Sequence, residues 1–331
     1  MPRSIMVPDS VHLTLQADRP PWTPTGLQVC RGDRVTLLGS GFVRWCPPHD
    51  AGAGAKRHLW GRVPGGEIFG CTQDTTTTVI DHDGELELCV HLGAWADRKG
   101  ALATGDAPYR RASGGLDVTV LRWVAGADPV AGLTSLGPGI VDPSLAAAEH
   151  ARLCDPVVPP PGWEYLLEFG PGDVYRHARR DGRSAIDVVC DDNAGVIRTE
   201  VGLPLGADTT LEWTWRVDEP PLPAPGSEGW IRDQLSVAVE FDTGQELSWC
   251  WAAAPEPAHP GAPIPLRAGG PGATHHESRT IVGDYRRHLG RPPDRIVGIR
   301  LTAVSHLRHS LVRASFSGIV LRTGRHRIQV L

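Results

Sequence analysis

Three stretches of the chain alternate apolar and polar positions with the two-residue period of a β-strand. In residues 211–217 (LEWTWRV), Leu211, Trp213, Trp215 and Val217 share one face, and Glu212, Thr214 and Arg216 share the other. Residues 233–241 (DQLSVAVEF) repeat the pattern, with Leu235, Val237, Val239 and Phe241 together. Residues 247–251 (LSWCW) carry a second Trp-x-Trp. So much indole on one face of amphipathic strands predicts the core of a β-sandwich. The faces bearing Glu212, Arg216 and Glu240 are left to line a cleft.

Shorter runs extend this picture in both directions. Residues 11–15, 26–30, 34–38, 86–90 and 116–120 read as strands separated by Gly and Asp turns, the spacing of a sandwich or barrel. In the second half, residues 163–169, 184–190, 277–282, 296–303 and 314–321 read as strands, and residues 284–289 as a helical turn or two. Between the halves, residues 124–162 are rich in Ala, Gly and Pro and end in the stiff tract VVPPP. Within them Asp142 stands as N-cap and Pro143 at the first helical position of an Ala-rich segment, which predicts one short helix. The expected organisation is all-β: a sandwich over 1–123, a Pro-rich linker with a helix over 124–162, and a second sandwich over 163–331.

Composition narrows the function more by exclusion than by pointing. A chain of 331 residues favours two domains, and Gly 39 with Pro 30 favours many short strands joined by turns. A formal charge of -5 makes no electrostatic case for nucleic acid or an anionic membrane. No run approaches the ~18 apolar residues of a membrane span, and the first residues hold no secretory apolar segment. Cysteines number 7, an odd count without a C-x-x-C pair, and read as reduced, buried small hydrophobes. The expectation is a soluble cytoplasmic protein with no cofactor and no bound metal, acting on a small-molecule or glycan ligand and compatible with a homodimer.

Two resemblances add to this. Residues 32–45 (GDRVTLLGSGFVRW), 59–63 (LWGRV) and 83–88 (DGELEL), with Ser113-Gly114 before the last strand, resemble the galactophilic-lectin type of galactose-binding-like β-sandwich. That resemblance covers about a third of the chain. It implies calcium and sugar held by an Asn-Asp pair and an Asn-Asn pair, but this chain has His91-Leu92 and Arg111-Ala112 there. Leu and Arg side chains offer no oxygen to calcium, so calcium-dependent galactose binding is not expected at that place. From Trp163 to Leu321 the chain resembles a bacterial jelly-roll-like family of unknown function. The carriers are residues 211–217, Asp233, Glu277 with Arg279, Asp284-Tyr285, and the run Pro293 to Ile299.

Candidate site residues lie in the second half. Glu212, Arg216, Asp233 and Glu277 form the expected acid, base and cation set. Trp230, Arg232, Trp251, His275 and Arg279 form the expected ligand-binding set, with Trp213 and Trp215 assigned to core. His275 and His276 are adjacent and point to opposite sides of a strand, which argues against their sharing a metal. No phosphate loop, hydrolase elbow or zinc-protease motif occurs. The expected function is binding of a carbohydrate or other hydroxylated small molecule by tandem sandwiches. The alternatives are an enzyme (lyase, cyclase or glycosidase) working on the second sandwich, or an interaction subunit.

Overall fold

The computed structural model describes residues 9–46, 51–137, 139–180, 182–222, 233–252, 262–268, 272–324 and 326–331. Trp230 and Arg232 lie outside the described residues. The chain forms two compact units: residues 1–156 with 167–172, and residues 157–166 with 173–331.

The first unit contains β1 (Asp9–Gln16), β2 (Thr23–Val29), β3 (Arg34–Cys46), β4 (Ala51–Ala53), α1 (Ala55–His58), β5 (Leu59–Arg62), β6 (Phe69–Gly70), β7 (Thr75–Val79), β8 (Gly84–Val90), β9 (Ser113–Trp123), α2 (Pro129–Leu133) and α3 (Pro143–Cys154). One sheet runs β1-β9-β3-β4, with β7 also on β3, and the other runs β2-β8-β5-β6. Their facing sides bury Val35, Leu37, Leu86, Leu88, Leu116 and Val118, the alternate positions of amphipathic strands.

The second unit contains β10 (Glu164–Tyr165), β11 (Tyr175–Arg180), β12 (Arg183–Asp191), β13 (Ala194–Pro204), β14 (Thr210–Glu219), β15 (Gln234–Phe241), β16 (Glu246–Ala252), β17 (Ile264–Ala268), β18 (Ala273–Thr280), α4 (Ile281–His288), β19 (Arg295–Val304), β20 (Leu311–Thr323) and β21 (His326–Gln329). A six-stranded sheet runs β10-β13-β19-β15-β16-β17, and a second runs β11-β12-β20-β14-β18 with β21 on β20. All pairs are antiparallel except β16 with β17. The three amphipathic strands divide between the sheets, β14 in one and β15 with β16 in the other. Trp213 and Trp215 therefore meet Trp249 and Trp251 across the core, at ring-centroid separations of 5.6 and 5.5 Å. The all-β sandwich expectation holds.

Three local expectations change. Residues 124–156 pack as part of the first unit, where Trp123, Leu121, Leu38, Leu133, Val141 and Ala146 form their own apolar cluster under α2 and α3. Asp128 and Asp142 cap these helices, each accepting from two backbone N–H groups. Of residues 163–169, only Glu164 and Tyr165 form a strand, because the chain then leaves the sheet: Phe169 lies under the Arg57 guanidinium and accepts from it at 3.0 Å. β18 stops at Thr280, and Ile281 and Val282 bury themselves from the first turn of α4 instead.

Candidate functional site

The six-stranded sheet of the second unit has an outward face unlike an ordinary solvated one. Leu235, Val237, Val239 and Phe241 of β15 point into the core, so Gln234, Ser236, Ala238 and Glu240 point away from it. The same alternation sends Glu246, Ser248 and Cys250 of β16 outward, with Arg300 and Thr302 of β19 and Val196, Arg198 and Glu200 of β13. Strand register sorts them into rows. One reads Arg198, Arg300, Ala238, Ser248, and another Glu200, Gly298, Glu240, Glu246. A third reads Val196, Thr302, Ser236, Cys250. Ser236, Ser248, Thr302 and Cys250 are buried although they face away from the core.

Charge on this face is tightly paired. The Arg198 Nε–H donates to Glu240 at 2.5 Å, and its Nη1 to the exposed Glu200 at 3.1 Å. Arg300 reaches Glu240 with Nη1 at 3.5 Å and Glu246 with Nη2. Its Nε–H is buried without a partner. The bond to Glu240 holds the Arg198 guanidinium above its ordinary pKa. Burial pushes the Glu246 carboxyl above its usual range, against the opposing pull of Arg300. Gly298 makes the arrangement possible. A Cβ there would stand 2.6 Å from the Glu240 carboxylate and 2.9 Å from Arg198 Nε.

The residues anticipated as a catalytic set do not come together. Glu212 and Arg216 point outward from β14 on the opposite sheet, bonded at 2.8 Å to Arg322 and Asp218 respectively. The Arg322 guanidinium holds the Glu212 carboxyl below its usual range. Glu277 faces inward instead, since register sets it beside Trp213. Its carboxylate accepts from Trp215 Nε1 at 3.3 Å and Arg267 Nε at 2.9 Å. Asp233 belongs to the other sheet's end, where it accepts from the Ser310 hydroxyl at 2.5 Å and the Arg308 N–H at 3.2 Å. Burial raises its pKa.

The anticipated ligand contacts that are described engage other side chains of the same unit. Trp251 is buried, edge-on to Trp215 and 5.3 Å from the His275 ring. Arg279 grips Asp284 with two N–H groups at 2.8 and 2.9 Å, and Asp284 also accepts from Trp249 at 2.9 Å. The residues missed were Arg198, Glu246 and Arg300, and the signal for Glu246 was present in the alternation of Leu247, Trp249 and Trp251, which carried one position back puts Glu246 on the outward face.

Residues 162–268 match a family model described as "Protein of unknown function (DUF3047)". No curated protein matches the sequence. Among solved structures, the chain is similar to the EclA N-terminal domain, described as a PllA-like lectin, at 19% identity, covering 34% of this chain and 95% of that one with a TM-score of 0.28. The xyloglucanase domain of NopAA from Sinorhizobium fredii, solved with cellobiose, matches at 12% identity, covering 50% and 100%, with a TM-score of 0.27. A carbohydrate-binding module of the β-sandwich superfamily matches at 8% identity, covering 97% and 100%, with a TM-score of 0.29. At such low scores the sandwich assignment rests on the strand pairing itself.

Proposed function

We propose that the second unit binds a hydroxylated small molecule of the carbohydrate class on the outward face of its six-stranded sheet. The observation that carries this reading is the unpartnered, buried Arg300 Nε–H, set among Glu240, Glu246, Ser236, Ser248 and Thr302. Leaving such a donor unmet costs about 1–3 kcal/mol, which a ligand oxygen recovers. Carboxylates accept from neighbouring hydroxyls, guanidinium and Ser or Thr hydroxyl groups donate to them, and charged partners make the stronger bonds. Recognition here is polar, since every indole of β14 and β16 is committed to the core.

Binding also fits the charge pairing better than catalysis does. Glu240 already accepts from Arg198 and is ion-paired with Arg300, and the four residues first considered for acid–base work lie on different faces. Isothermal titration of the full chain against a panel of mono- and oligosaccharides, uronates and polyols tests the reading. At least one class binds, and Arg300→Gln and Ser236→Leu each weaken it tenfold or more while the fold is retained. Absence of heat from every class at millimolar ligand, or binding indifferent to both substitutions, overturns it.

A further inference from the structure

The first unit contains an open cavity of about 370 Å³ between α2, α3 and the chain that joins them. Helical spacing builds one wall. Pro143, Ala146, Ala147 and His150 stand at i, i+3, i+4 and i+7, on a single face of α3. Bulky residues on that face would fill the space, as side chains in protein interiors do. Two alanines leave it open. Leu133, Val141 and Ala146 are buried and form an apolar floor, continuous with the cluster around Trp123. Thr134, Gly137 and Ala147 are exposed and stand at the mouth. The volume falls within the ~300–1,000 Å³ of small-molecule sites. At about 30 Å³ for each water-sized atom, it admits roughly a dozen non-hydrogen atoms.

The polar groups decide the chemistry. The Thr134 hydroxyl donates to the Ala131 carbonyl at 2.9 Å, so its oxygen is left to accept. Among the described residues that line the cavity, His150 alone is ionisable. Its ring nitrogens meet the Cys154 sulfur at 4.0 and 3.8 Å, too far for a strong bond. The acids of α3 and its cap are committed elsewhere. Glu149 takes Thr75 and Arg152, and Asp142 takes the N–H groups that it caps. The imidazole therefore has no carboxylate from α3, and an apolar setting strengthens a charge-assisted bond that supplies one.

We propose that this cavity binds a small aromatic or branched monocarboxylate. Its carboxylate lies on the His150 ring and its hydrocarbon body on Leu133, Val141 and Ala146. A second charge on the ligand would meet the apolar floor unpaired, which excludes dicarboxylates. The site is independent of the proposed sugar-binding face.

Fluorobenzoate, followed by fluorine NMR on the full chain, tests the proposal, with fluorobenzyl alcohol as its neutral counterpart. The carboxylate binds with millimolar or better affinity, at least tenfold more tightly than the alcohol. His150→Leu lowers the carboxylate to the level of the alcohol, and His150→Arg restores the preference. Gly137→Leu and Ala147→Phe fill the space from the mouth and abolish binding of both probes while thermal melting is unchanged. Both positions accept a side chain, since a Cβ at Gly137 meets no atom within 4 Å and Ala147 is exposed. No binding of fluorobenzoate at several millimolar, or equal binding of acid and alcohol, overturns the assignment. A preference that survives His150→Leu, or binding indifferent to both filling variants, overturns it as well.

Discussion

Two indole N–H groups in the second unit end on carboxylates that a guanidinium holds from the other side. Trp215 meets Glu277 and Arg267, and Trp249 meets Asp284 and Arg279. A buried carboxylate is tolerable only when its partners satisfy it, and removing one member strands the others. Glu277→Leu therefore leaves an indole donor and a guanidinium unpaired and lowers unfolding free energy by about 2–4 kcal/mol. Glu277→Gln keeps an acceptor for Trp215 and costs roughly half as much. Urea unfolding of the two variants measures the difference, and equal losses would show that the indole bond contributes nothing. These chains take up Glu277 and Arg279, a use of β18 that its sequence does not announce. β18 (ATHHESRT) has no apolar face to declare which side is inward, so its alternation fixes a period and leaves the phase open.

Where a strand or helix had an apolar face, its pattern was enough. β14, β15, β16 and α3 were legible because a buried stripe and a cap both announced them. β11 and much of β13 were not, since YRHARR has almost no apolar residue and AGVIRTEVGLP sets Val196 and Ile197 side by side and interrupts its apolar positions with Gly, Thr and Glu. The outward site face was only half legible: its polar positions showed, but not that four strands bring Arg198, Arg300, Glu240 and Glu246 side by side. At α3 the capping and the burial make separate contributions. Asp142 accepts from the Ser144 and Leu145 N–H groups, so Asp142→Ala costs about 1 kcal/mol. Glu149 is fully buried, accepts from Thr75 at 2.7 Å and pairs with Arg152. Glu149→Ala costs more, about 3 kcal/mol, because it takes the buried acceptor from Thr75 and the ion pair from Arg152. A thermal melt of each variant tests the order, and the reverse order would place the helix's anchorage in its cap.

For the whole molecule, the two units respond to acid in opposite directions. Burial, with Arg57 nearby, pushes His58 down to about 4 and His91 down to about 3, against an ordinary value of 6.5. Both rings stay neutral in the folded first unit while the unfolded chain takes up protons below pH 6.5. The unfolded state then binds more protons, so stability is whole above that pH and falls as pH drops towards the folded values. At pH 5 the loss is about 2 kcal/mol for each imidazole. In the second unit Glu246 and Asp233 have folded pKa values raised by burial, so the folded state there takes up protons first and gains stability as pH falls. Glu212 is lowered by its Arg322 bond and works the other way, but that pair is partly exposed and screened. Calorimetry at pH 7.5 and pH 5 should accordingly show the transition of the first unit moving down and separating from that of the second. His91→Phe, which keeps the stack on Trp95 and removes one titrating ring, should roughly halve the shift. A first-unit transition that stays put between the two pH values, or that moves equally in His91→Phe, would place the acid sensitivity outside this pair.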